Sequence, residues 1–161
     1  FRQQFLDDYE AEICVDSCVF DELEEVLRVL EEKSVPWGIV TNKPRYLAEQ
    51  LLEKMQLDER CSVLVCPDDV SRSKPDPEPM YAALERLSIP RGAAESVLYV
   101  GDHIRDIEAG KAAGMPTILT AYDYITPEDQ KNLKKWGADY ITETPADLNK
   151  LLLSSGKFDY L

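Results

Sequence analysis

The chain has 161 residues, 44% of them hydrophobic and 30% charged, which suits one soluble domain with a sizeable core. Its 18 basic and 31 acidic residues leave a formal charge of −13, a field that repels polyanions and excludes nucleic acid or an anionic membrane surface as a general partner. No apolar run approaches the ~20 residues that span a bilayer.

Hydrophobic periodicity predicts helices alternating with short strands. The first dozen residues, FRQQFLDDYEAE, read as a helix, and CVDSCVF (14–20) reads as a connector. Asp21 with Glu24 resembles a capping box, followed by an apolar stripe of Leu23, Val26, Leu27 and Leu30. WGIVT (37–41) is the first strand, and a helix follows from Pro44 with Leu47, Leu51, Leu52 and Met55 inward. SVLV (62–65) is the next strand, and Met80, Ala83, Leu84 and Leu87 mark a helix beginning near Pro79. VLYV (97–100), TILT (117–120) and DYI (139–141) are further strands, before a last helix bearing Leu148, Leu151 and Leu152. Strands apolar throughout, separated by amphipathic helices, predict an α/β three-layer sandwich around a Rossmann-like, mainly parallel sheet. The four cysteines, Cys14, Cys18, Cys61 and Cys66, lack zinc spacing and neighbouring histidines. They are expected to be free thiols of a cytoplasmic protein.

In an open parallel sheet, ligands gather at the carboxyl ends of the strands. After WGIV come Thr41, Asn42 and Lys43, then Pro44, a good first-turn residue, so a hydroxyl and backbone amides stand at a helix start. That pattern suits an anion, although a threonine there also serves as a plain cap. After VLYV come Gly101, Asp102, His103 and Asp106. Carboxylates at i and i+4 can converge on a hard cation such as Mg²⁺, and the competing reading is a cap beside a solvated, Arg-paired aspartate. Between them, SRSKPDPEP (71–79) places Lys74 before three prolines, which are expected to hold the backbone extended and aim the lysine at a phosphate or at the acidic pair. His103, the one histidine, reads as a local hydrogen-bonder or substrate contact rather than a general base.

TNKP, SKPDPEP and VGDHIRDIEAGKAAGM, in this order, resemble motifs two, three and four of the haloacid dehalogenase superfamily, most closely its phosphoglycolate phosphatase group. The match runs from about Phe20 onward. The resemblance implies a Mg²⁺-dependent phosphomonoesterase working through an aspartyl-phosphate. Thr41 and Lys74 would be catalytic; Thr41, Asn42, Lys43, Lys74 and His103 would bind phosphate or substrate; Asp102 and Asp106 would hold Mg²⁺. The implied substrate is a small phosphorylated metabolite, either phosphoglycolate or a sugar phosphate such as an N-acetylmuramic acid phosphate, and the protein would be a monomer or homodimer.

The family's first motif, Asp-x-Asp-x-Thr, occurs nowhere in the chain. The resemblance places that motif and most of a helical cap before Phe1. Residues 1–17 are therefore expected to be the end of a cap and its connector, and 18–161 a core lacking its first, central strand. A different outcome is a catalytically silent Rossmann-like binding or scaffold domain. A GTPase reading rests on Asn42-Lys43 alone and fails for want of an aspartate two residues on and of a Gly-rich phosphate loop.

Overall fold

The computed structural model describes residues 17–120 and 133–154, with side chains described over 24–120 and 135–154. The expected helix over the first dozen residues, and with it the cap, lies outside them. Helix α1 (Ser17–Glu32) precedes β1 (Gly38–Val40), α2 (Arg45–Lys54), β2 (Val63–Val65), α3 (Glu78–Arg86), β3 (Tyr99–Gly101), α4 (Ile104–Ala112), β4 (Thr117–Thr120), β5 (Tyr140–Thr142) and α5 (Pro145–Leu153).

Two expectations are corrected at the start. The helix already runs from Ser17, so Ser17–Phe20 are not connector and Asp21 lies inside the helix rather than capping it. Position 21 scores well as a local cap, but Ser17 and Cys18 tolerate helix, and a turn of favourable backbone hydrogen bonds is added.

All strand pairs are parallel, as the near-uniformly apolar strands require. Among the described residues they form two ladders, β1–β2 and β3–β4–β5, with the break in pairing between β1 and β3. Side chains alternate across each strand. On one face, Val40, Val63 and Val65 pack with Met80, Ala83 and Leu84 of α3 and with Ala109 and Ala113 at α4. On the other, Ile39 and Leu64 pack with Leu51 and Leu52 of α2 and Leu27 of α1. Leu98, Val100, Ile118 and Tyr140 meet Leu148, Leu151 and Leu152 of α5 on that second face, where α1 also lies against α5. The result is the three-layer α/β arrangement. Met80, Leu84, Ile107, Ile118 and Leu119 are essentially inaccessible, each worth about 1.5–3 kcal/mol of burial. No described helix is long and apolar enough to cross a membrane.

Candidate functional site

The site grows from the ends of β1 and β3. The amide of Thr41 donates to the Val65 carbonyl at 3.0 Å, continuing the β1–β2 ladder one residue beyond Val40 and burying the threonine. Its hydroxyl accepts from the Lys43 amide at 3.0 Å. Helix α2 is entered through Pro44, which offers no side-chain cap. Thr41 therefore shapes the loop before the helix rather than capping it, and Asn42 and Lys43, both half-buried, form the loop's turn.

Neighbouring residues of a strand point their backbone groups to opposite sides. Since Thr41 faces β2, the carbonyl of Val40 faces the other edge of β1. Two groups reach it there: the Lys74 ammonium at 3.0 Å and the Tyr99 hydroxyl at 3.4 Å. Lys74 also donates to the Tyr99 oxygen at 3.0 Å and to Asp106 Oδ1 at 2.6 Å. The Lys74 and Asp106 side chains are 1% and 0% exposed, so this is a fully desolvated ion pair, not a surface bridge.

The lysine arrives by a turn, not by extended chain. The Asp76 amide donates to the Ser73 carbonyl at 3.0 Å, and the Lys74–Pro75 peptide is cis. The expectation of an extended, proline-stiffened segment is thus corrected. The prolines act at the next step, with Pro77 at the start of α3 and Pro79 in its first turn, where a missing N–H costs nothing.

Asp106 belongs to the first turn of α4. Its Oδ2 accepts from the amides of Asp102 at 3.2 Å and His103 at 3.1 Å, while His103 Nδ1 accepts from the Arg105 amide at 3.2 Å. His103 and Asp106 together close a reciprocal cap. Burial alone would raise the Asp106 pKa. Among the described residues, the Lys74 ammonium, by charge and hydrogen bond, and then Arg105 act against this and favour the ionised carboxyl. Gly101 permits this approach, because a Cβ there would overlap the Asp106 side chain. Asp102, half-buried at the end of β3, stands beside the pair through its own amide.

Thr41, Lys74, Asp102 and Asp106 are thereby brought together, linked through Val40 and the α4 turn. His103 is exposed at the rim. Among the described residues no three His, Cys, Asp or Glu side chains group as a ready metal site. The sequence reading missed Tyr99 and the Val40 carbonyl. Tyr99 sat within VLYV as one more strand residue, and its hydroxyl was the available signal, since a buried phenol usually requires a partner.

A model of haloacid dehalogenase-like hydrolases matches residues 1–120, and the chain belongs to that family. It is 42% identical over 154 residues to an N-acetylmuramic acid 6-phosphate phosphatase of Pseudomonas putida, covering 96% of this chain and 67% of the relative. It is 39% identical over 145 residues to a phosphoglycolate phosphatase of Xanthomonas campestris, covering 90% and 63%. Among solved structures, it resembles a haloacid dehalogenase family hydrolase from Deinococcus radiodurans with bound phosphate and sodium. The TM-score is 0.68 and the identity 27%, over 80% of this chain and 56% of that one. The chain thus spans about two thirds of the length of the relatives it matches.

Proposed function

We propose that the protein to which this chain belongs is a Mg²⁺-dependent phosphatase acting on a small phosphomonoester. N-acetylmuramic acid 6-phosphate is the first substrate to test and phosphoglycolate the second. The observation that carries this reading is the buried Lys74–Asp106 pair at 2.6 Å, set beside the Thr41 loop at the carboxyl ends of two parallel strands. A desolvated, fixed ammonium is costly unless something uses its charge, and a transferring phosphoryl group is such a user. The phosphatase names of the relatives support the reaction class. The higher identity to the sugar-phosphate enzyme supports the order of substrates.

In this reading the Thr41 hydroxyl and the Asn42 amide bind phosphoryl oxygens, Lys43 adds charge at the loop, and Lys74 offsets the charge that builds during transfer. Asp106 keeps Lys74 in place and ties it to the Asp102 and His103 amides, and His103 contacts the substrate. Asp102 is proposed as a direct Mg²⁺ ligand, with Asp106, whose oxygens also meet Lys74 and the Asp102 and His103 amides, completing the site directly or through water. One carboxylate with water and substrate phosphate is a donor set that Mg²⁺ accepts. Mg²⁺ bound there supplies charge neutralisation at the phosphate. The attacking oxygen is assigned to an aspartate of an Asp-x-Asp segment upstream of Phe1. Its carboxylate forms the new P–O bond as the ester P–O bond breaks, the alcohol leaves with a proton from the second aspartate of that segment, and water, giving a proton back to that aspartate, hydrolyses the aspartyl-phosphate to phosphate and the free carboxylate.

The test uses the protein in its natively made length beside the 161-residue chain. Phosphate release is followed from both candidate substrates and from p-nitrophenyl phosphate, with and without Mg²⁺. Turnover by the longer protein alone is the expected result. Robust Mg²⁺-dependent hydrolysis by the 161-residue chain would overturn the mechanism, because none of its residues is assigned as nucleophile.

A further inference from the structure

Among the described arginines, Arg28, Arg45, Arg60, Arg72 and Arg86 each meet a carboxylate, and Arg91 lies on the Tyr81 ring at 4.0 Å. Arg105, in the first turn of α4, is the exception. Its backbone amide donates to His103 Nδ1, but its side chain meets no acceptor, and its Nε is closed off from solvent without a partner. In a chain of formal charge −13 carboxylates are not scarce, so the missing partner is not a matter of supply. An N–H shut away from water without an acceptor is costly and calls for a reason. The residue as a whole is half-buried, and Nε alone of its nitrogens is both enclosed and unpartnered. The stem is therefore packed in place, and the terminal nitrogens are the donors left to reach a ligand. They stand beside the Asp102–His103 turn, close enough for their charge to act on the Asp106 carboxyl.

From this arrangement we infer that Arg105 is a specificity-determining residue: its terminal N–H groups hold a carboxylate that the substrate carries beside its phosphate. The inference rests on the phosphatase reading above for the place of the phosphate. Two cations then divide the work. Lys74, desolvated against Asp106, is a fixed point charge for the phosphoryl group. Arg105 offers a planar fork, which takes the two oxygens of a carboxylate in parallel hydrogen bonds. Both candidate substrates carry such a group: phosphoglycolate is itself a carboxylate, and N-acetylmuramic acid 6-phosphate has one in its lactyl ether. The substrate class narrows accordingly, from small phosphomonoesters in general to those with a second, carboxylate anion. A neutral sugar phosphate would leave the guanidinium unpaired, and an unpaired polar group in the site is what rejects an analogue most strongly.

The test compares substrates that differ in the carboxylate: N-acetylmuramic acid 6-phosphate against N-acetylglucosamine 6-phosphate, which lacks the lactyl group, and phosphoglycolate against ethyl phosphate. In the natively made protein, kcat/KM for the better carboxylate-bearing substrate should exceed that of its analogue by about tenfold or more. Arg105→Met keeps an unbranched stem and removes the charge, and there the ratio should collapse. Arg105→Lys should retain only part of it, because an ammonium is not a fork. A ratio near unity in the unmodified protein overturns the inference even if Arg105→Met fails to fold. Equal losses on both members of a pair in Arg105→Met also overturn it, and assign the guanidinium to the phosphate or to a carboxylate upstream of Phe1. If the unmodified protein turns over no phosphomonoester, the phosphatase reading falls, and calorimetric binding of the same pairs decides the inference separately. Tighter binding of the carboxylate-bearing member, lost in Arg105→Met, would sustain it; equal or absent binding would overturn it.

Discussion

At the outer edge of β2 the Leu64 carbonyl accepts from two guanidiniums, Arg45 and Arg86, each at 3.0 Å. At the inner edge of β1 the Val40 carbonyl accepts from the Lys74 ammonium and the Tyr99 hydroxyl. Both edges thus cover a strand acceptor with side chains, one way to blunt an open sheet edge. Their surroundings differ. Arg45 and Arg86 side chains are 31% and 44% exposed and share the Asp69 carboxylate; the Lys74 side chain is 1% exposed and has a wholly buried counter-ion. A solvated cation can cover an edge cheaply. The same task done by a desolvated ion pair needs another justification, and the proposed phosphoryl binding would supply one.

The sharpest break of this comparison is Lys74→Ala. It strands the Asp106 charge in the interior, which costs roughly 3–5 kcal/mol, and turnover should fall by orders of magnitude. Urea unfolding and steady-state kinetics on the same preparation measure both. The double variant Lys74→Met with Asp106→Leu separates them, because replacing a buried pair with apolar side chains is often near neutral for stability. Stability should largely return and activity should not. Recovered activity would remove Lys74 from the chemistry.

Next in size is the acid side of the stability curve. A carboxyl depressed below its unfolded value contributes fully above that value and loses the contribution as pH falls through the folded pKa. For Asp106, paired with Lys74, the window opens at about 4, the unfolded value, and runs downward from there, so its contribution is lost on the acid side of that value. Asp69 is also lowered: burial opposes its ionisation, but the Cys66 amide and Arg45 prevail. Comparing Asp106→Asn with Asp69→Asn by urea midpoints between pH 6 and 2 sets the inner pair against the outer one. The inner variant should flatten the acid limb more. Equal flattening would erase the distinction between the edges.

Much of the fold was legible because apolar runs and helical stripes follow from burial, and TILT is strand β4 without adjustment. Pro44 and Pro79 marked helix starts for the physical reason given, a ring that tolerates a first turn. What failed was local and conformational. Ser17–Phe20 carry no strong breaker, so the helix extends through them, and SKPDPEP contains three prolines whose joint geometry depends on a turn that composition does not specify. Strand ends located Thr41, Asp102 and Lys74's counter-ion. The part played by Tyr99 depends on which face of β3 meets α4 and on an unpaired strand edge, and neither can be read from a four-residue apolar run.

A smaller effect is expected at the rim, from His103→Ala. The imidazole's Nδ1 accepts the Arg105 amide at the start of α4, so the loss should be about 1 kcal/mol, the usual worth of an N-cap. If the ring only touches substrate, KM should rise more than kcat falls. Because Asp106 still accepts the Asp102 and His103 amides without the ring, the Lys74 pair should survive, and the acid limb should keep its shape. A large fall in kcat at unchanged KM would instead make His103 a proton-transfer group.

The smallest effect should come from Arg86→Ala on the outer edge. Arg86 approaches Asp69 at 3.4 Å with almost half its side chain in solvent, and exposed pairs of this kind contribute about 0–1 kcal/mol. Its hydrogen bond to the Leu64 carbonyl can pass to water, and Arg45 still reaches the same oxygen. Thermal unfolding should therefore shift little, and kcat and KM should stay within about twofold. Arg45→Ala should cost more, because that guanidinium also binds Glu49 and is more enclosed. Removing both arginines uncovers the strand edge altogether, so the double variant should show its main effect in concentration-dependent light scattering rather than in catalysis. If Arg86→Ala alone lowered turnover as Lys74→Ala does, the outer edge would share in the chemistry, and burial would no longer separate the working cation from the covering ones.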